Sequence, residues 1–386
     1  VSALAHEPVC VTRPVAHPTL TVDLEAVAAN TRRLAARASG ELMAVVKADG
    51  FGHGAADVAR TALGAGATAL GVTTLAEALA LREVGLDAPV LSWLNPVDED
   101  WRAARDAGVE IAVPSLEHLD AVARTAPGTR VHLHLDTGMA RDGAAPEEWA
   151  RLCRAARRAE RRHAVSVVGL MGHLATADTP GDPRTAMGRA RFAWGSGVAR
   201  VCGLRPRQRH LAATSATLTD PASHHTTVRV GAGLVGIDPT GTTELAGALT
   251  LTAPLVQVRH VRAGTGVGYD HTWTAPAATR LGLLPLGYGD GLPRAASGRA
   301  EVLVAGVRRP LVGRVSMDTA VVDLGDLPLA AGTTVTVLGP GHEGEPTAGE
   351  WARWSGTIAH EVVTGLGARG GRTERVVRPA VLRSLA

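Results

Sequence analysis

Lysine and arginine together number 40 in this chain, and every one of them except Lys47 is an arginine. A guanidinium serves wherever a surface cation suffices, but it stays protonated and is a poor nucleophile. An amine can lose its proton and condense with a carbonyl. Lys47 is therefore the candidate for covalent chemistry with an aldehyde or ketone. Tyrosine is almost as scarce, occurring only as Tyr269 and Tyr288. Groups with chemical capacity recur at or just after the ends of apolar runs: Lys47 in AVVKADGFGHG, Arg141 in HLDTGMARDG, His173 in GLMGHLATAD, Ser215 in AATSAT, and Gly231 to Gly233 in RVGAGLVG. Glycine-rich backbone and a hydroxyl suit a phosphate, because bare amides approach it closely and donate hydrogen bonds. Singly, a glycine-rich turn is only a turn and a histidine at a strand end serves equally well in a core. Together they describe a reactive amine facing a phosphate site.

Elements must bring these groups together. Eight short apolar runs lie between about residues 40 and 235: Met43 to Ala48, Ala69 to Thr73, Pro89 to Leu94, Glu110 to Val113, Arg130 to Leu135, Val165 to His173, Arg209 to Ala212 and Thr227 to Val230. Helix starts separate them, such as Thr74 with Glu77 as a capping box and Asn95 followed by Pro96 as N-cap and first helical residue. Eight β-then-α units predict an α/β fold with a parallel (β/α)8 TIM-type barrel, in which right-handed crossovers put the helices outside and reactive groups share the mouth where strands end. An open doubly wound sheet is the alternative. After about residue 245 the pattern changes to apolar runs at Leu249 to Ala263, Arg280 to Pro285, Ala300 to Val304, Ala320 to Leu324 and Thr333 to Leu338, separated by Gly and Pro turns with little room for helices. The domains read as a tail at 1–17, a barrel at 18–245 introduced by a helix over Leu24 to Ala36, and a mostly β C-terminal domain at 246–386.

A length of 386 residues with 45% hydrophobic composition allows a sizeable core and two or three domains. No run approaches 18 apolar residues, and the first 20 positions lack a charged start followed by an apolar stretch. Neither a membrane partner nor a signal peptide is expected, and the cytoplasm is the default location. Cys10, Cys153 and Cys202 are odd in number and widely spaced, which argues against a disulfide framework or a metal cluster. The net charge of +3 is spread along the chain. Its one dense run, Arg151, Arg154, Arg157, Arg158, Arg161 and Arg162, has the spacing of a solvated helix face, so no nucleic-acid partner is expected.

The motifs around these residues resemble those of the alanine racemase family, pyridoxal 5′-phosphate enzymes of a barrel-plus-β architecture. AVVKADGFGHG resembles the cofactor-lysine motif, HLDTGMARDG the arginine loop and RVGAG the arginine facing the pyridine nitrogen. GVGYDHTW, LPLGYGDGLPR and GRVSMDTAVVDL resemble the C-terminal domain motifs, and the likeness runs from about residue 18 to 365. The resemblance implies a homodimer acting on a small amino acid, each site taking Tyr269 and Met317 from the partner. It further implies that Lys47 carries the cofactor and works with Tyr269 as a pair of bases, Lys47 on the face of the D-enantiomer and Tyr269 on that of the L. His173 would link Tyr269 to Arg229, while Ser215, Gly231 and Ala232 hold phosphate. Arg141 and Met317 would orient the substrate carboxylate, with Tyr288 and His360 lining the pocket.

Departures from the pattern also fall here. Phe51 stands where the family carries a phosphate-binding tyrosine, His134 where a carbamylated lysine braces the arginine loop, and His360 where a tyrosine reaches phosphate and substrate. The near-terminal ARGGR replaces the usual Arg-Val-Pro-Arg. The reading that results is a racemase interconverting L- and D-alanine for peptidoglycan. A racemase of another small amino acid such as serine, or a pathway-specific or self-resistance paralogue, is the near alternative. A non-catalytic pyridoxal-phosphate homeostasis protein is the distant one, opposed by the second domain. A decarboxylase or aldolase would not require Lys47, Tyr269 and Arg229 together.

Overall fold

Each of the eight apolar runs is a strand in the computed structural model, which describes residues 16–368 and 372–380. The strands Glu41–Val45, Ala69–Val72, Val90–Ser92, Val109–Val113, Thr129–His134, Val165–Met171, Gln208–His210 and Thr227–Val230 pair in parallel in chain order, the first also pairing with the last. The amide of Thr226 donates to the Arg209 carbonyl at 3.1 Å and that of Arg229 to Ala212 at 2.9 Å, which brings the seventh and eighth strands together. An open doubly wound sheet lacks such a closure. Met43, Ala69, Leu91, Ala112 and Met171 fill the interior, with Trp93 packed against them.

Local capping explains several helix starts. Thr74 and Glu77 form the expected capping box at the head of Leu75–Glu83. Asn95 behaves differently from the sequence reading. The next helix begins at Trp101 with Asp100 as its cap, and the Asn95 side chain accepts the Leu75 amide at 2.8 Å, so it caps a helix that precedes it in the chain. The arginine-rich helix Pro146–Arg161 buries Trp149, Leu152, Cys153 and Ala156 and turns most of its arginines outward. Cys153 and Cys202 are free thiols, and burial pushes that of Cys153 up to about 12. Cys10, most of the 1–17 tail and part of ARGGR lie outside the described residues.

Asp23–Ala246 forms one compact unit, and Gly247–Arg378 the body of the other. The sequence reading began the barrel at residue 18, but Thr19–Val22 belongs with the second unit. This strand pairs antiparallel with Leu249–Thr252 and buries Leu20 and Val22, so its alternating side chains are covered there. The second unit is built on a nine-stranded sheet running from Gln257–Val261 to Glu374–Arg378. It also holds two helices that the sequence reading left out, Ala348–Ser355 and Ala359–Ala368. Thr347 and Glu350 form a capping box on the first, the same local signal as Thr74 and Glu77. No helix among the described residues is long and apolar enough to cross a membrane.

Candidate active site

Lys47 follows the first barrel strand and opens an unusual turn. Ala48, Asp49, Gly50 and Phe51 all have left-handed backbone, with φ of 51°, 53°, 62° and 57°. Such a conformation costs about 1–2 kcal/mol for each residue with a Cβ, so the three non-glycine positions need outside support. Glu77 accepts the Ala48 amide at 2.8 Å and Asp49 accepts the Ala55 amide at 2.9 Å. The turn carries the buried Phe51 ring against Gly231, where a Cβ would stand 2.7 Å from the ring atoms Cε2 and Cζ. Burial lowers the Lys47 pKa, as do the charges of Arg141 and Arg229, against the opposing pull of Glu77.

Arg229, on the eighth strand, is buried, and burial lowers its pKa to about 10, so it remains charged near neutrality. Its Nη1 donates to the His210 carbonyl at 2.8 Å and to His210 Nδ1 at 3.0 Å. Nη2 donates to the Gly172 carbonyl at 2.8 Å and to His173 Nδ1 at 3.2 Å. Four of the five N–H groups are thereby committed, and only Nε–H has no partner among the described residues. His173 is held neutral, its pKa lowered to about 3 by burial and then by Arg229, Arg141 and Lys47. Because Nδ1 accepts from Arg229, the His173 proton sits on Nε2.

The phosphate candidates gather after the seventh and eighth strands. Thr214 Oγ1 accepts the amides of Gly231 and Gly233 at 3.4 and 3.2 Å, which folds the glycine turn against the start of Thr214–Thr219. Ala232 opens a 3-10 turn, and Ser215 donates to Asp178 at 2.6 Å. Ser215 must give up that bond to donate to a phosphate. Asp178 and Thr214 carried no signal that distinguished them in the sequence.

His134 does not brace Arg141 directly. Its Nδ1 lies 3.3 Å from Asp142 Oδ2, one residue beyond the arginine, and Asp142 also accepts the Gly143 amide at 2.7 Å. Burial would raise the Asp142 pKa, but His134 and the Gly143 amide outweigh it and hold it below the usual carboxylate range. Arg141 itself is exposed, without a side-chain partner among the described residues.

In the β unit, Tyr269 and Met317 are 69% and 56% exposed, large side chains on the surface of a single chain. Both line an open cavity of about 510 Å³ with Gly268, Ser316, Asp318 and Thr319. An ion pair between Arg314 and Asp270 fixes the Tyr269 loop. The Tyr288 and Gly289 amides donate to the Ser316 and Met317 carbonyls at 2.9 and 2.8 Å. A Cβ on Gly287 would meet those carbonyls at 2.3 Å, so only glycine admits Met317 so close. Tyr288 lines a second cavity with Leu292, Arg294, Glu361 and Val362. His360 is half-buried on the last helix. The structure thus brings Lys47, Arg141, His173, Ser215, Arg229, Gly231 and Ala232 onto one barrel, and Tyr269, Met317, Tyr288 and His360 onto the β unit.

Sequence models of the alanine racemase N-terminal and C-terminal domains match residues 22–239 and 248–374. The chain belongs to the alanine racemase family. Among its relatives in that family, the alanine racemase of Mycobacterium tuberculosis is 46% identical over 92% of this chain and 95% of its own. The crystal structure of alanine racemase from D-cycloserine producing Streptomyces lavendulae superposes with a TM-score of 0.90 at 40% identity, over 95% of this chain and 98% of its own. The alanine racemase of Bartonella henselae, whose structure has covalently bound pyridoxal phosphate, matches with a TM-score of 0.85 at 25% identity over 94% of this chain and all of its own.

Proposed function

We propose that this protein interconverts L- and D-alanine, with pyridoxal 5′-phosphate held covalently by Lys47. The observation that carries the reading is the pairing, on one barrel, of the chain's sole lysine, its amine pKa lowered, with a buried guanidinium that keeps one N–H uncommitted. These features fit the cofactor: the amine suits its aldehyde, Arg229 Nε its pyridine nitrogen, and the Ser215 and Ala232 turns its phosphate. When bound, the cofactor supplies an electron-withdrawing ring that acidifies the α-proton of an amino acid joined to it.

The chain's own groups then manage that proton. Lys47 Nζ takes and returns it on the face of the D-enantiomer, helped by burial and by the neighbouring arginine charges. The partner's Tyr269 does the same through Oη on the L-face, and the exposure of Tyr269 and Met317 in the single chain supports a homodimer with shared sites. His173, with its proton on Nε2, is set to donate to the phenol oxygen and favour its ionised form. Arg229, with Nε–H uncommitted, would hold the pyridine nitrogen without surrendering its proton, which would restrain the electron sink and favour simple reprotonation. Arg141 orients the substrate carboxylate through a charged fork, with the backbone amide of the partner's Met317 assisting. Tyr288 and His360 shape the pocket wall, and the cytoplasm is the expected location.

Two measurements test this. Borohydride reduction and peptide mapping should find the pyridoxyl group on the Lys47 peptide, and holoenzyme absorbance persisting in Lys47→Ala would refute the attachment. A chiral assay of the cofactor-loaded dimer against the common amino acids should show alanine turnover first, and its absence would overturn the substrate.

A further inference from the structure

We propose that Glu110 is a positioning residue for Arg229: its carboxylate orders the tautomers of His132 and His210, so that a bare imidazole nitrogen is presented to the guanidinium. The inference rests on the role assigned to Arg229 above. Four inward side chains from different barrel strands form one line. Arg229 Nη1 lies 3.0 Å from His210 Nδ1, His210 Nε2 lies 2.8 Å from His132 Nδ1, and His132 Nε2 lies 2.7 Å from Glu110 Oε2. Both histidines are fully buried and Glu110 is 3% exposed.

The chemistry of the two ends dictates every proton between them. An arginine only donates, so His210 Nδ1 accepts and is bare. An imidazole without any proton is excluded, so His210 carries its proton on Nε2 and donates to His132. His132 Nδ1 is then bare, and its own proton sits on Nε2. An ionised carboxylate only accepts, and Glu110 takes that proton's bond. All three donors therefore point from Arg229 toward Glu110, and neither histidine can be doubly protonated without setting two donors against each other.

The surroundings are built for this arrangement. His132 Nδ1 would stand 1.9 Å from a Cβ on Gly169, so a glycine clears the space for the ring. Arg130 reaches the other Glu110 oxygen from the barrel rim, where the arginine is half-exposed. Burial alone would raise the Glu110 pKa, but the His132 bond and the Arg130 charge lower it and keep the carboxylate ionised. Without an acceptor at position 110, the order imposed by Arg229 would leave the His132 Nε2–H buried with no partner, which favours moving that proton to Nδ1. His210 Nε2 must then accept, which turns a His210 Nδ1–H toward Arg229 Nη1. Two donors at 3.0 Å repel, and Arg229 is displaced together with the His173 contact made by its other nitrogen.

Nitrogen NMR of the holoenzyme carrying isotope-labelled histidine reads the tautomers directly, with single His132→Gln and His210→Gln chains assigning the signals. The expected wild-type result is a proton on Nε2 of both rings, and a proton on His210 Nδ1 would overturn the proposal without any Glu110 variant. Glu110→Leu fills the space without an acceptor. It should shift the His132 proton to Nδ1 and lower kcat by roughly ten- to a hundredfold, the scale of a small misplacement at a reacting centre. Glu110→Gln, whose carbonyl still accepts from His132, should restore the tautomers and most of kcat. Wild-type tautomers and kcat in Glu110→Leu, or equal losses in the leucine and glutamine variants, would overturn the assignment. If the tautomers stand but the borohydride label is not on Lys47, the cofactor reading fails and the relay remains.

Discussion

Phe51→Tyr should tighten cofactor binding. The Phe51 ring lies against the glycine turn that precedes Ala232, and Cζ, the carbon that bears a tyrosine hydroxyl, is one of the two atoms that a Cβ on Gly231 would meet first. The substitution keeps the β-carbon and the ring, so the cost of the left-handed backbone at φ 57° is unchanged and cancels between the variants. What is added is one hydroxyl at the proposed phosphate cradle. A hydrogen bond to a charged group contributes about 1.5–3 kcal/mol, and each 1.4 kcal/mol is about tenfold in affinity. The phenol must also leave water, which favours the lower end, so the expected gain is about tenfold in Kd. Apoprotein prepared with hydroxylamine is titrated with pyridoxal 5′-phosphate, following protein fluorescence in wild type and variant. A Kd within roughly twofold of wild type, in a variant with unchanged thermal midpoint, would show that the ring edge does not face the phosphate and would refute the placement of Gly231 and Ala232 as its cradle.

Mixing inactive Lys47→Ala and Tyr269→Phe chains under conditions of subunit exchange should regenerate sites with both bases, and proven exchange without activity would exclude a shared site. His173 binds its proton near pH 3 when folded and near 6.5 when unfolded. Between those values the unfolded chain holds the extra proton, so stability rises with pH and falls by up to about 1.4 kcal/mol per pH unit as acid is added. Urea unfolding of the apo protein across that window should show a shallower slope in His173→Gln, and equal slopes would mean that the folded imidazole titrates normally. Asp142→Asn removes the anion beside His134, so KM for the amino acid should rise by about two- to tenfold with kcat less affected; an unchanged KM would relieve Asp142 of any part in presenting Arg141.

Much of the barrel and its mouth was legible in the sequence because the signals are local. Eight short apolar runs separated by helical stretches need no tertiary information, and the Thr74–Glu77 box is read within four residues. Lys47, Arg141, His173 and Ser215 stood out because each lies at or beyond the end of such a run and because lysine is otherwise absent, whereas Arg229, inside the eighth run, was singled out by the family resemblance of RVGAG. Contacts between distant segments decided the rest. Asn95 looked like the cap of its own helix, and only packing of neighbouring units turned its carbonyl to Leu75. Thr19–Val22 has the same alternation in either domain, and pairing with Leu249–Thr252 decided which one buries it. The left-handed turn after Lys47 depends on Glu77, 29 residues away from the amide it holds. Glu110, His132 and His210 read singly as polar residues in apolar strands. The parallel register that sets their inward faces side by side makes them one hydrogen-bonded line, because strand alternation determines which way a side chain points but not which chemistry lies across the barrel from it.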